Sequence, residues 1–388
     1  MAATLQSSPN LLNKLSDPLL FKFSMSEVSS DDTIRRFGYR IVKVVDGNDL
    51  PITPDLDYTP RKAGEAFPIY INTEAYNALG VNVPPSIGGS VPSSGLATHV
   101  DKAMCASLKV VYWQINYHIF TQISEVTEEQ SSPVIKVFNC INEPYQSEVI
   151  TAGYIFGNRP CITVASKDAD DFIFGYGAFS VVITGYDRLR DPITQTISQS
   201  SSGVAADVSA INVGPRSVVA QIPDVFKYRV VITSAEGEKT LWYEVNYSED
   251  AEVVVFLDKG GAWHEFTFDY KRGGNVQTSR TSLNRIDRSQ AINSSRNRRI
   301  TTTYTSAIEE NGDITLIKRF VQPVENQQEW VKSLIKSKAI LYKHRGQYMM
   351  MTLGDITQNT DSDNGIFNLG ITLQFSPNIT QQNAFITA

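Results

Sequence analysis

The chain has 388 residues, of which 41% are hydrophobic, and its formal net charge at pH 7 is −6. A chain of this length is expected to form two or three domains with packed apolar cores. The acidic balance argues against attraction of the whole chain to nucleic acid or to an anionic membrane, and no run of 18 apolar residues predicts a membrane span.

The N-terminal region predicts strands separated by long loops. Residues 1–15 show little hydrophobic pattern and no secretory leader, so we expect an N-terminal arm. Apolar residues alternate from Phe37 to Val45, which predicts a strand, and Asp46-Gly47-Asn48 predicts the turn after it. The Pro- and Gly-rich segment 84–96 is expected to be a long loop that contacts partners.

The middle of the chain changes in composition. Residues 195–214 are rich in Ser, Ala and Gly and poor in large apolar residues, which is typical of a linker or a long loop. The expected organisation is an arm at 1–15, one or more β domains at 16–190 with a second candidate boundary at 142–153, a linker or long loop at 191–222, and a C-terminal β-sandwich domain at 223–388.

The C-terminal part has clearer periodicity. Asp258-Lys259-Gly260-Gly261 predicts a turn between two strands. One-sided apolar spacing predicts a helix over 325–337. Residues 366–375 alternate apolar and polar side chains, which predicts the last strand. The predicted fold class is therefore mainly β, with antiparallel β-sandwich domains and one short helix in the C-terminal domain.

The sequence contains no recognisable catalytic, cofactor or metal motif. It lacks a nucleophile elbow, a zinc-protease helix, a Walker loop and a dinucleotide fingerprint. Asp168, Asp170 and Asp171 are expected to form a solvated loop. The scattered histidines and cysteines show no ligand spacing, and they are His99, His118, His264, His344, Cys105, Cys140 and Cys161. We therefore expect a protein that is not an enzyme and holds neither cofactor nor metal.

A basic segment interrupts this acidic chain. Residues 271–299 carry eight positive side chains against one negative, Asp287. Three interpretations stay open: docking to an acidic neighbouring subunit, phosphate contact with DNA, and a solvated loop. Few aromatic residues interleave with the arginines, which disfavours nucleic acid. The candidate subunit-docking residues are Arg280, Arg285, Arg288, Arg296, Arg298 and Arg299.

The C-terminal part, about residues 230–378, resembles virion proteins of tailed bacteriophages of the distal-tail, baseplate or tail-hub type. The resemblance is carried by Gly-Gly-Ala-Trp-His-Glu-Phe-Thr-Phe (260–268), the basic Thr/Ser-rich connection 278–303, Leu-Ile-Lys-Ser-Lys-Ala-Ile-Leu-Tyr (334–342) and the last strand 367–375. The first 220 residues have no counterpart in this pattern.

The resemblance implies a non-enzymatic tail subunit that forms a homo-oligomeric ring around or beneath the tail tube through a head-to-tail interface. It also implies docking to other tail or portal-proximal virion proteins, a place in the virion tail and assembly in the host cytoplasm. Nucleic acid would be contacted only if the ring lines a DNA channel. The alternative is a carbohydrate- or receptor-binding β-sandwich, because Trp242 and Trp263 lie at opposite parity to the apolar strand faces and could stack on sugar rings.

Overall fold

The structure, a computed structural model, describes residues 3–60, 62–79, 92, 94–100, 104–140, 149–157, 162–201, 207–286, 301–321, 325–337, 339–344, 347–361, 366–375 and 385–386. Beyond residue 271, side chains are described at 314–318, 330–337, 339–343, 348–356 and 369–374. Most of the expected loop 84–96 lies outside the described residues.

The protein is mainly β, as the sequence predicts, and most of its strands pair antiparallel. The strands are β1 (Thr4–Ser7), β2 (Leu12–Lys14), β3 (Leu20–Ser24), β4 (Thr33–Val45), β5 (Asn48–Pro51), β6 (Leu56–Tyr58), β7 (Phe67–Tyr70), β8 (Thr98–Val100), β9 (Cys105–His118), β10 (Ile123–Val126), β11 (Gln130–Ser131), β12 (Ile135–Phe138), β13 (Ile155–Phe156), β14 (Ile162–Ser166), β15 (Phe172–Tyr176), β16 (Phe179–Tyr186), β17 (Pro192–Ser200), β18 (Val208–Asn212), β19 (Lys227–Ser234), β20 (Gly237–Asn246), β21 (Glu252–Leu257), β22 (Trp263–Phe268), β23 (Tyr270–Ile286), β24 (Thr301–Val321), β25 (Ile340–His344), β26 (Gln347–Asp361), β27 (Ile366–Phe375) and β28 (Phe385–Ile386). The helices are α1 (Asn72–Leu79), α2 (Pro215–Val219) and α3 (Glu325–Ile335).

The chain forms two compact units that interleave along the sequence. The first unit consists of Met1–Thr163, Asp170–Val245 and Leu257–His264, and the second of Val164–Ala169, Asn246–Phe256 and Glu265–Ala388. No described helix is long and apolar enough to cross a bilayer.

The first unit is built from several sheets of three to eight strands. Strands β1-β3-β7 form one of them, and β2-β12-β9-β4-β5 form a second to which β6, β10 and β11 also pair. A third has the order β13-β15-β18-β8, and a fourth has the order β14-β20-β19-β16-β17, in which β16, β17, β19 and β20 pair antiparallel. The pairing of β2 with β12 is parallel, so the N-terminal segment is tied to the second sheet.

The core of the first unit begins between the first and second sheets. In β3 the side chains of Phe21 and Phe23 are fully buried, whereas Lys22 between them is exposed, as the alternation of a strand requires. The Phe23 ring lies 4.9 Å from the rings of both Phe37 in β4 and Tyr112 in β9. These aromatic contacts join two sheets face to face, which is β-sandwich packing.

The second unit contains an eight-stranded sheet of order β22-β21-β25-β26-β27-β24-β23, with β28 paired to β26. Helix α3 buries Trp330, Val331 and Leu334 against this sheet. The Trp330 ring lies 5.1 Å from Phe266 and 6.0 Å from Phe256. Helix α3 and the strand 366–375 lie where the periodicity of the sequence predicts them, but β28 follows this strand, so 366–375 is not the last strand of the chain.

Three segments differ from the sequence-based expectations. Residues 1–15, expected to form an arm, contribute β1 and β2. Residues 191–222, expected to form a linker or a long loop, contain β17, β18 and α2, and β18 is buried along its whole length. Helix α1 is a further helix that the apolar pattern does not predict, because only Ala75 and Leu79 of its eight residues are buried.

Candidate subunit-docking ribbon

The second unit carries a two-stranded ribbon that continues beyond its sheet. Strand β24 pairs with β27 over Asp313–Val321. Its pairing with β23 extends well beyond this segment, to Ile286 opposite Thr301. We define the ribbon as residues 276–286 of β23 and 301–312 of β24. At about 3.3 Å per residue, it is roughly 35 Å long.

Few strand pairings among the described residues hold the ribbon in place. Among the described residues, segments 276–286 and 301–312 pair only with each other, and β23 is an edge strand of the sheet. An isolated two-stranded hairpin is marginally stable in water, and its outer edges present unpaired N–H and C=O groups to any neighbouring strand. The two segments of the ribbon therefore offer open strand edges that a partner could cover.

The structure locates two of the six candidate docking arginines. Arg280 and Arg285 lie in the ribbon, where the register places them opposite Ile308 and Thr302. The side chains of both lie outside the described part of the chain, as do Arg288, Arg296, Arg298 and Arg299 as whole residues. The docking role of all six arginines stays a prediction.

The acidic run does not form the expected solvated loop. Asp168 is exposed, but Asp170 and Asp171 are 3% and 2% exposed, so that expectation is wrong for both. The Asp170 carboxylate accepts hydrogen bonds from Nδ2 of Asn212 at 3.1 Å and from the Arg216 guanidinium at 3.2 Å. The cost of burying this carboxylate is thus offset by a cation and an amide.

Asp171 belongs to the same buried network. Its carboxylate accepts a hydrogen bond of 2.8 Å from the Tyr243 hydroxyl, and its backbone N–H donates to Oδ1 of Asn212. The rings of Tyr243 and Tyr228 stack in parallel with centroids 4.9 Å apart. These bonds join β20 to the segments that flank β15 and β18, so the network serves packing within the first unit.

A second buried pair lies at the turn after β21. His264 is fully buried, and its Nε2 lies 2.8 Å from Oδ2 of Asp258, a partner that the sequence search missed at a separation of six residues. The other Asp258 oxygen accepts the backbone N–H of Ala262. His264 also lies against Gly157, where a Cβ would come within 2.8 Å of the imidazole. The pair therefore holds a tight turn against its neighbours.

The described residues contain no group of three or more His, Cys, Asp or Glu side chains arranged to hold a metal ion.

The two tryptophans considered for sugar stacking are poorly placed for it. Trp263 is 2% exposed, so the prediction that it is exposed is wrong. Trp242 is half-buried beside Tyr186, and the Lys227 ammonium lies over its ring at 5.3 Å from the centroid. A sugar would have to displace that lysine to stack on this face.

Comparisons with known proteins do not place the chain in a family. No family model matches the sequence, and no curated protein matches it. Among solved structures, extracellular domains 3–5 of Drosophila OTK match at 11% identity over 81% of this chain and 92% of that chain, with a TM-score of 0.23. An I-band fragment of titin matches at 8% identity over 98% of this chain and 90% of that one, with a TM-score of 0.15. Likenesses at these TM-scores carry no argument about this chain.

Proposed function

We propose that this protein is a non-enzymatic structural subunit of a bacteriophage tail, and that it forms a homo-oligomeric ring at the tail hub, the baseplate or the tail tube. The ribbon of β23 and β24 is the observation that carries the proposal. It leaves the sheet for roughly 35 Å with no described partner, and such a ribbon gains stability when a neighbouring chain covers it.

A ring is the expected assembly if each ribbon enters a different surface on the next copy. Such a contact is heterologous, and heterologous contacts that close generate rings. The basic segment 271–299 favours an acidic recipient surface, with Arg280 and Arg285 on β23 as its part of the ribbon, although β24 carries Glu309 and Glu310. Assembly in the host cytoplasm and docking to other tail or portal-proximal proteins belong to the same proposal.

Removal of the ribbon tests the proposal directly. Val276 and Gly312 are opposite each other in the register, so replacing residues 277–311 with Asn-Gly closes the shortened hairpin with a two-residue turn. We expect the full-length chain to sediment as a closed oligomer. The shortened chain should sediment as a folded monomer whose circular dichroism shows loss of the ribbon strands alone.

Charge variants provide the matched controls. Arg280→Glu combined with Arg285→Glu should prevent assembly, whereas Arg280→Lys combined with Arg285→Lys should preserve it because the charge is kept. Mass spectrometry of purified virions should detect the chain at a fixed copy number. A full-length chain that stays monomeric at high concentration and is absent from virions contradicts the proposal.

A further inference from the structure

The fourth sheet of the first unit holds two cations on its outer face, the side of β16, β17, β19 and β20 that is turned away from the core. Lys227 and Arg229 lie two positions apart on β19, and the residues that alternate with them, Tyr228 and Val230, are fully buried. Both cationic side chains are half-buried. Within the described part of the chain, neither side chain forms an ion pair or a hydrogen bond. Two like charges held together and partly withdrawn from water favour the binding of an anion.

Arg229 is the more enclosed of the two cations. Its Nε is covered by protein atoms and has no hydrogen-bond partner among the residues that the structure describes. The register places Thr184 of β16 opposite Arg229 on one side and Trp242 of β20 opposite it on the other. A guanidinium in this environment interacts with an anion more strongly than a fully solvated one, because the effective dielectric constant is lower. Its planar geometry also matches that of a carboxylate.

Two aromatic rings border the cations. The Lys227 ammonium lies 5.3 Å from the centroid of the Trp242 ring, and the Tyr186 ring lies 5.5 Å from the same ring. Tyr186 is also opposite Lys227 in the register, so the four side chains share one end of the outer face. The cation–π contact holds the ammonium on this face, and the rings add apolar surface beside the charges.

Hydroxyl side chains continue the outer face. Thr184 lies opposite Thr196 of β17, and Thr240 of β20 lies on the same face. Each of the three retains exposed surface. A hydroxyl both donates and accepts hydrogen bonds, which is what the hydroxyls of a sugar require. The outer face therefore combines cations, aromatic rings and hydroxyls.

We propose that this face binds a sugar that carries a carboxylate, such as a hexuronate residue. Arg229 and Lys227 bind the carboxylate, and the threonine hydroxyls bind the sugar hydroxyls. A neutral sugar would have to displace Lys227 in order to stack on Trp242, whereas a carboxylated sugar pairs with that lysine where it stands. This inference goes beyond the proposed tail role and does not depend on it.

Isothermal titration calorimetry of the full chain with tetragalacturonate tests the site, and fully methyl-esterified tetragalacturonate is the neutral probe of the same size. We expect the acid to bind about tenfold or more tightly than the ester, and added salt to weaken the binding of the acid. Arg229→Gln should weaken the binding of the acid by about tenfold or more. Lys22→Gln, which removes an exposed lysine of β3, is the matched control and should bind like the parent chain.

Glu244 provides a variant with the opposite sign. It lies opposite Lys227 in the register without forming an ion pair with it, so Glu244→Gln removes a repulsive charge and should tighten binding of the acid severalfold. A merely structural role of these residues would not produce this gain. The inference is wrong if tetragalacturonate does not bind, if the acid and the ester bind equally, or if Arg229→Gln keeps the affinity of the parent. Binding of a tetraglutamate peptide as tight as that of tetragalacturonate would overturn the assignment to sugars.

Discussion

Gly261 provides a sharp test of packing in the first unit. Its φ is +81°, and a Cβ at this position would lie 2.3 Å from the carbonyl oxygen of Asn139, at least about 1 Å closer than ordinary contact. Gly47 has the same φ of +81°, but a Cβ there meets nothing within 4 Å. The two glycines thus share the backbone strain of an alanine substitution and differ in the steric contact.

The magnitudes follow from this difference. A left-handed conformation costs an alanine about 1–2 kcal/mol, and the loss of unfolded-state freedom on Gly→Ala returns about 0.4–1 kcal/mol. Gly47→Ala should therefore lower the free energy of unfolding by roughly 0–1.6 kcal/mol. Gly261→Ala adds the displacement of a backbone carbonyl, at about 1–3 kcal/mol on the scale of overpacked cores.

Urea titration followed by tryptophan fluorescence compares the two variants with the parent chain. The difference between Gly261→Ala and Gly47→Ala isolates the contact with Asn139, because the strain and the unfolded-state effect cancel. Near-ultraviolet circular dichroism checks that both variants keep native packing. Equal midpoints for the two variants would show that the turn does not lie against Asn139 as described.

Three other predictions concern buried side chains. Tyr243→Phe removes a hydroxyl that donates to a buried carboxylate, so it should lower the free energy of unfolding by about 2 kcal/mol. Tyr228→Phe removes a hydroxyl that donates to a neutral carbonyl, so the loss should be about 1 kcal/mol. Urea titration measures both losses. Burial raises the pKa of the Cys105 and Cys140 thiols to about 12, so both should resist iodoacetamide near neutral pH in the native chain and react after unfolding, as mass spectrometry can show. The raised pKa stabilises the fold below the ordinary thiol pKa, and this contribution is lost as the pH rises toward about 12. Trp330→Ala should lower the free energy of unfolding by about 3–5 kcal/mol, since the side chain is buried between α3 and the sheet; chemical denaturation measures the loss.

Local chemistry made part of the fold predictable. Asp46 and Gly47 both have positive φ, as the Asp-Gly turn signal between β4 and β5 requires. The strict alternation of 366–375 and the one-sided spacing in α3 likewise identify elements that sequence neighbours define. Helix α1 gave no comparable apolar stripe, although Asn72 and Glu74 at its start have the composition of a helix N-terminus.

Long-range contacts made the rest unpredictable. The sequence around Asp171 predicts a solvated side chain. Its hydrogen-bond partners, Asn212 and Tyr243, are 41 and 72 residues away and reach it only in the folded chain. The parity of Trp263 suggested exposure, yet every residue of β22 is buried, so alternation carries no information about solvent there. The composition of the Ser/Ala-rich segment around β18 predicts a linker, because small residues can pack in a core without producing a strong apolar pattern.

The sequence reveals the ribbon only in part. The basic composition of 271–299 is visible without a structure, but the pairing that extends β23 and β24 beyond the sheet is not. The exposure of Phe120 after β9 is also invisible in the sequence, since an aromatic residue next to a long strand is expected to be buried.

The interleaving of the two units has a consequence for biosynthesis. The chain changes unit after Thr163, Ala169, Val245, Phe256 and His264. During translation the first unit therefore stays incomplete until residue 264 has left the ribosome. A fragment that begins at residue 223 would carry β19 and β20 without β16, the strand to which β19 pairs. No single proteolytic cut separates the two units: a cut after His264 keeps all residues of the first unit together but takes Val164–Ala169 and Asn246–Phe256 away from the second. The fragments that an expression study would choose from the sequence, with a boundary near 191–222, would each lack part of a sheet.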